Sequence, residues 1–281
     1  SPESKIAFVN DGSKDNTWNI ISALCTDDGI FAGINLSRNK GHQNALLAGL
    51  MTAKKYADAV ISLDADLQDD VDAIEKMVDN FIAGDDIVYG VRSSRKKDTF
   101  FKRFTAEGFY KFMAAMGVEI VFNHADYRLM SRRALDALSE FDEVNLFLRG
   151  IVPQIGFRTS TVEYERKERL AGESKYPLKK MLSFAFEGIT SFSVRPLKIA
   201  TTLGIFSLLV CLAMLIYCIV SKATGHAVAG WASIGASVWA LGGLFMLGII
   251  GEYVGKIYTE TKHRPKYIIE SIIIDREKLE K

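Results

Sequence analysis

Asp64 and Asp66, separated by the small Ala65, close an apolar run over residues 59–63 that reads as a buried strand. Successive side chains of a strand point to opposite faces, so both carboxylates are expected on one side at its carboxyl end. Two anions a few Å apart repel strongly in a crevice of low dielectric. A hard divalent cation between them relieves that repulsion. Oxygen ligands suit Mg²⁺ or Mn²⁺, with coordination positions left open for phosphate oxygens. An isolated Asp-x-Asp can equally be a solvated acidic turn, so the rest of the chain decides between the two.

Other polar residues follow strands in the same way. Residues 6–9 read as a strand running into Asn10-Asp11-Gly12-Ser13-Lys14-Asp15-Asn16-Thr17, where Asp15 or Ser13 could cap a helix. Phe31–Leu36 reads as a second strand, ending in the basic turn Ser37-Arg38-Asn39-Lys40-Gly41 before a helix over 42–56. A helix over 71–83 and a strand over 86–89 come after the acidic pair. Strands alternating with helices across short loops predict an α/β domain with a mostly parallel sheet. Ligands of such sheets bind beyond the carboxyl ends of the strands, so Asp11, Arg38, Asp64 and Asp66 are expected to meet in one crevice.

The 281 residues carry a net charge of +1, which gives no bulk field for nucleic acid. Cys25, Cys211 and Cys218 are spaced for neither a disulfide framework nor a zinc site, which suits a reducing, cytosol-facing catalytic part. The amino terminus has no apolar segment of the signal-peptide kind.

Beyond residue 92 the expectations are a basic loop over 93–98, a helix over 101–116 and a helix over 132–138, with His124 to Met130 between those helices. An apolar segment over 147–156, an edge strand over 162–169 and a loop over 171–176 follow. Residues 178–192 place Leu178, Met181, Leu182, Ala185, Phe186, Ile189 and Phe192 at helical spacing opposite Lys179 and Lys180, the pattern of a helix lying in a membrane interface. Residues 199–220 and 223–251 are two long uncharged apolar runs, each enough for the roughly 20 residues that span a bilayer. Arg195 and Lys198 before them, and Lys256, Lys262, Arg264 and Lys266 after, put both flanks and both termini in the cytosol. The expected organisation is therefore a cytosolic domain over 1–176, a juxtamembrane helix over 177–196, a two-helix hairpin over 197–253 and a cytosolic tail over 254–281. Gly204, Gly235, Gly242, Gly243 and Gly248 would allow close helix packing and an oligomer through the spans.

Asn10-Asp11-Gly12-Ser13, Ser37 to Gly41, Asp64-Ala65-Asp66-Leu67-Gln68-Asp69 and Ala125-Asp126-Tyr127-Arg128 together resemble glycosyltransferase family 2. Arg169 to Pro177, the two spans and Gly251-Glu252-Tyr253 are similar to its polyisoprenyl-phosphate glycosyltransferases, the group of dolichyl-phosphate mannose synthase and the bactoprenol glucosyltransferases. The resemblance implies a GT-A (Rossmann-like) catalytic domain with Asp11, Arg38, Gly41 and Asp64 at the nucleotide sugar. It implies metal binding by Asp66 with Asp64, Gln68 near the diphosphate and acceptor, and Asp126 beside the reaction centre. Arg128, Arg149, Arg166, Arg169, Ser174 and Lys175 would hold phosphate, a geometry that guanidinium forks match. The implied activity is transfer, with inversion, from UDP-glucose or a UDP-N-acetylhexosamine to a polyprenyl phosphate on the cytosolic leaflet, for cell-envelope glycosylation. A tetramer is within the family's range. The acceptor phosphate is already largely dianionic at neutral pH and needs no strong general base. His42 and His124 accordingly have no assigned role, and core or surface positions are expected for them.

Members of the group begin with a strand ending in a Pro-x-Tyr-Asn-Glu-like turn, then a helix. Neither precedes Ile6, which is expected to leave a gap beside the first strand and to mark the chain as part of a longer product. Two other readings compete: a membrane-anchored nucleotide-sugar binding protein without catalysis, and a processive polysaccharide synthase. The intact acidic pair and Asp126 weigh against the first, and the absence of a Gln-x-x-Arg-Trp motif weighs against the second.

Overall fold

The computed structural model describes residues 3–66, 68–92, 108, 112–117, 124–144, 147–165, 186, 188–191, 193–225, 231–275 and 277–280. The chain forms two compact units, one of residues 1–110, 119–176 and 263–281, the other of residues 111–118 and 177–262.

The first unit begins β1 (Ile6–Asn10), α1 (Thr17–Asp27), β2 (Phe31–Leu36), α2 (His42–Ala53), β3 (Ala59–Ser62), α3 (Ala73–Ile82) and β4 (Ile87–Arg92). These are the expected alternating elements, with ends moved by a few residues. β5 (His124–Ser131), α4 (Arg132–Ser139), α5 (Leu148–Gln154) and β6 (Thr159–Tyr164) follow. The unit is completed by β7 (Ile269–Ile274) and β8 (Glu277–Glu280), from the far end of the chain.

The sheet is mixed and divided, not mostly parallel. One four-stranded sheet runs β1-β2-β7-β8 and the other β3-β5-β4-β6. Among the described residues, only β1–β2 and β4–β6 are parallel pairs. β3 and β4 are not neighbours, because β5 lies antiparallel between them with Leu129 opposite both Ile61 and Val88. Residues 124–131 take this place because they alternate. Tyr127 and Leu129 enter a core with Met77, Val88, Val162 and Tyr164, while Asp126 and Arg128 fall on the opposite face. Ser131 then caps α4 by accepting from the Ala134 N–H at 3.0 Å.

In the first sheet, α1 covers one face, where Ile21 and Cys25 meet Phe8, Phe31 and Ile273. On the other face, Ala45 and Ala48 of α2 meet Val9, Leu36 and Ile269. β7 is therefore core, and residues 269–274 of the region expected as a cytosolic tail are part of this sheet. Ile272 and Ile273 are 6% and 5% exposed, so a run of β-branched residues here is buried on both sides.

The second unit holds α6 (Arg195–Ala223) and α7 (Trp231–Glu260). Among the described residues one helix, α6, is long and apolar enough to cross a membrane, and Ile205, Phe206, Leu208 and Leu209 on it are all exposed. Tyr253 of α7 donates to the Ser193 carbonyl at 2.6 Å, and Lys256 donates to the Ser191 hydroxyl at 2.8 Å. Most of the expected interfacial helix over 178–192, the basic loop over 93–98 and most of the helix over 101–116 lie outside the described residues.

Candidate active site

The loop after β1 is bound to the loop after β2. Asp11 accepts from the backbone N–H of Lys40 at 2.7 Å and of Gly41 at 2.9 Å. Gly12 lies so close to that loop that an added Cβ would sit 2.4 Å from the Arg38 carbonyl carbon, and its φ of +61° belongs to the left-handed region. Gly41, at φ +85°, turns the chain into α2. Arg38 stands exposed at the outer side of this turn. Asp11 thus fixes where α2 begins, and so where His42 and Gln43 point.

Both of those side chains reach Asp126. Nε2 of His42 donates to Oδ2 of Asp126 at 3.1 Å and also lies 3.8 Å from Oδ1 of Asp64. Gln43 donates to Asp126 at 3.5 Å and accepts from the Leu148 N–H at 3.1 Å, which ties α5 to α2. Arg149, on α5, grips the same carboxylate through Nη2 at 3.2 Å and Nε at 3.4 Å. Arg128 donates to Oδ1 at 2.5 Å. Asp126 is only 3% exposed. Burial works to raise its carboxyl, yet His42, Arg149 and Arg128 outweigh burial and hold it well below the usual carboxylate range. In return, the hydrogen bond to Asp126 raises His42 against the opposing effect of burial.

Arg128 does not face outward as a lipid-phosphate ligand would. It is 1% exposed, and its Nε and Nη1 have no hydrogen-bond partner among the described residues. Arg149 keeps about a third of its side chain exposed while paired to Asp126. Arg166, Arg169, Ser174 and Lys175 lie outside the described residues.

The acidic loop is held from behind by two phenols. β3 stops at Ser62, whose hydroxyl donates to the Asp126 carbonyl at 2.6 Å, so strand alternation does not place Asp64 and Asp66 as expected. They lie on the following turn instead, both half-buried, with Asp66 accepting from the Gln68 N–H at 3.2 Å. Gln68 is 5% exposed, tucked under the loop. Tyr164 donates to Asp69 Oδ1 at 2.6 Å, and Tyr127 donates to the Asp70 carbonyl at 2.9 Å. The two rings meet edge to face with centroids 5.1 Å apart. Burial, with Asp69, Asp70 and Asp72 nearby, pushes the Tyr127 phenol up to about 12, so it remains a donor at neutral pH.

Burial raises the Asp64 carboxyl, His42 works to lower it, and Asp126, Asp69 and Asp66 raise it further. Among the described residues no three His, Cys, Asp or Glu side chains form a preformed cation cage. Asp64 and Asp66 offer only oxygen donors, the set by which Mg²⁺ is held when substrate phosphates complete its shell. The donor chemistry of these two side chains suits such an ion.

His42, Gln43, Tyr127 and Tyr164 are site residues that the sequence reading did not assign. His42 is no isolated surface histidine. A signal for it lay in its place as the first residue of a helix that follows a strand-end loop, where side chains project over the crevice.

Comparison with known proteins gives the same direction. The model of glycosyl transferase family 2 matches residues 1–139. An uncharacterized glycosyltransferase of Bacillus subtilis, YkoT, is 54% identical over 270 residues, covering 95% of this chain and 80% of that protein. The bactoprenol glucosyl transferase of Shigella phage SfV is 42% identical over 273 residues, covering 96% and 88%. A prophage bactoprenol glucosyl transferase homolog of Escherichia coli K12 is 42% identical over 276 residues, covering 97% and 90%.

Proposed function

This chain belongs to glycosyl transferase family 2, and we propose that it moves a hexosyl group from a nucleotide sugar to the phosphate of a polyprenyl phosphate. The observation that carries the reading is that His42, on the helix whose start Asp11 binds, reaches both Asp64 and Asp126, in a chain like the bactoprenol glucosyl transferases over nearly its whole length.

The nucleotide is read by the loop of Asp11 and by Arg38 and Gly41. Asp64 and Asp66 would hold a Mg²⁺ or Mn²⁺ ion, which would supply positive charge to neutralise the departing nucleotide diphosphate. His42 and Arg149 are cationic or donor groups held against Asp126 at the rim of the same crevice, suited to phosphate oxygens of donor or acceptor. The buried Asp126 carboxylate, held by His42, Arg149 and Arg128, is a poor proton acceptor. Its role in this reading is to fix those three donors. The acceptor needs no base, since a phosphomonoester is largely dianionic at neutral pH. Attack of its oxygen on the anomeric carbon, with departure of the nucleoside diphosphate on the opposite side, inverts that centre. Gln68 lies beneath the acidic loop and supports it near the diphosphate.

The donor in this reading is UDP-glucose or a UDP-N-acetylhexosamine. Both α6 and α7 span the cytoplasmic membrane with the termini in the cytosol, and the chain assembles as an oligomer. Arg166, Arg169, Ser174 and Lys175 meet the lipid phosphate.

The test is incubation of the purified chain with polyprenyl phosphate and radiolabelled UDP- and GDP-sugars. Label extracted into lipid and released by mild acid is the expected result. No lipid-linked label with any donor, from protein that binds nucleotide, overturns the reading in favour of a binding protein.

A further inference from the structure

Beside the site runs a chain of side-chain amides that ends on the last part of the sequence. Asn10 and Asn35 are register partners on β1 and β2, and both are buried, at 3% and 7% exposure. Asn10 Nδ2 donates to Asn35 Oδ1 at 2.7 Å, and Asn35 Nδ2 donates to Glu270 Oε2 at 2.7 Å. At the other end, Asn10 Oδ1 accepts from the Ser13 N–H at 3.3 Å. Glu270 reaches Asn35 because β7 is irregular there. Asn35 pairs with Ser271 and Leu36 with Ile269, which leaves Glu270 as an extra residue. An extra residue of this kind re-aims a side chain. Just before it, the Ile268 carbonyl accepts from the Ser37 N–H at 3.0 Å, so the same segment also pins the start of the Arg38 loop.

The direction of this chain is fixed at both ends. A carboxylate only accepts and a backbone N–H only donates, so each amide between them has one permitted orientation. Loss of Glu270 frees Asn35 to rotate, and with it Asn10, whose oxygen holds the turn that carries Asp11.

We infer that Glu270 and Asn35 are positioning residues for the donor nucleotide, acting through Asn10 on the Asp11 loop. The inference rests on the nucleotide-sugar reading of that loop. It makes β7, at the far end of the sequence from the strand-end motifs, a functional part of the donor site.

The test uses the full chain in detergent, with donor KM, acceptor KM and kcat from transfer assays and with UDP and GDP titrated calorimetrically. Glu270→Ala and Asn35→Asp should each raise donor KM and weaken nucleotide binding about tenfold, the loss of one net hydrogen-bond contribution, with kcat and acceptor KM within about twofold. Asn35→Asp alone sets two carboxylates face to face. Adding Glu270→Gln reverses the polarity of that one bond, from the new amide at 270 to the new carboxylate at 35, and still leaves an acceptor for Asn10. The double variant should therefore regain donor KM to within about threefold of the parent. The inference is overturned if the double variant is as impaired as Asn35→Asp. Donor KM and nucleotide affinity that stay within about twofold in both single variants, while melting temperature alone falls, also overturn it. Parent protein that binds neither nucleotide overturns this inference and the reading of the site together.

Discussion

His42 Nε2 lies 3.1 Å from Asp126 Oδ2, joining the first residue of α2 to one near the amino end of β5, 84 positions apart in sequence. The contact raises His42 from its ordinary value of 6.5. A histidine raised in the folded state contributes stability that is fully present below its unfolded value and lost as pH climbs through the folded value. His42 is more than half exposed, so solvent screening keeps the effect small. Without divalent ions, the parent should melt about 1–2 °C above His42→Gln at pH 6. The two should coincide by about pH 9, well above the ordinary histidine range. A difference that grows with pH would show that His42 is neutral in this pair.

Arg128 and Asp126 test whether the buried cluster is held together by charge. Asp126→Ala leaves the Arg128 guanidinium, already without partners at Nε and Nη1, as an uncompensated buried charge. Breaking one side of such a pair costs about 3–5 kcal/mol. Replacing both partners with Asp126→Ala and Arg128→Met should recover most of that stability in denaturant titrations, because no buried charge is then orphaned. Transfer activity should stay low in the double variant, since Arg149 and His42 have lost what holds them. Full recovery of activity with stability would make the cluster purely structural.

The phenol of Tyr164 bears on the acidic loop in a different way. Tyr164→Phe removes the donor to Asp69 Oδ1, and Asp69 is 4% exposed with no hydrogen-bond partner at Oδ2. Leaving that buried carboxylate unsatisfied costs about 1–3 kcal/mol. Because the same loop carries Asp64 and Asp66, kcat should fall along with stability. Tyr56→Phe, an exposed tyrosine, is the matched control and should change neither.

Much of this site could be read from residues that end strands. Asp11, Arg38 and Asp64 follow β1, β2 and β3 closely, and apolar runs bounded by polar turns locate them. Asp126 was placed near the reaction by resemblance, but its surroundings were not legible. His42, Gln43 and Arg149 meet it only because α2 and α5 are brought together, and no local pattern encodes that contact. Nor did periodicity show β5 lying antiparallel between β3 and β4, since alternation specifies a strand's faces and not its neighbours. β7 was missed for another reason. Ile269 to Ile274 is a β-branched run with a strand's composition, but its position after two apolar spans suggested a solvated tail.

Asp66 offers the sharpest separation of chemistry from folding. Its carboxylate is half-buried on an acidic turn and accepts from the Gln68 N–H at 3.2 Å. Asp66→Asn keeps an oxygen for that bond and removes the charge that would hold a cation. Its melting temperature should stay within about 2 °C of the parent, the effect of a surface-type change. Transfer should fall about 10²–10³-fold in kcat, the usual cost of losing one electrostatic stabiliser of developing charge. Chelation of divalent ions should bring the parent to the same low rate, and added Mg²⁺ or Mn²⁺ should restore the parent but not the variant. Activity that survives both chelation and Asp66→Asn would mean that the diphosphate leaves with help from protein cations such as Arg149 and His42 alone.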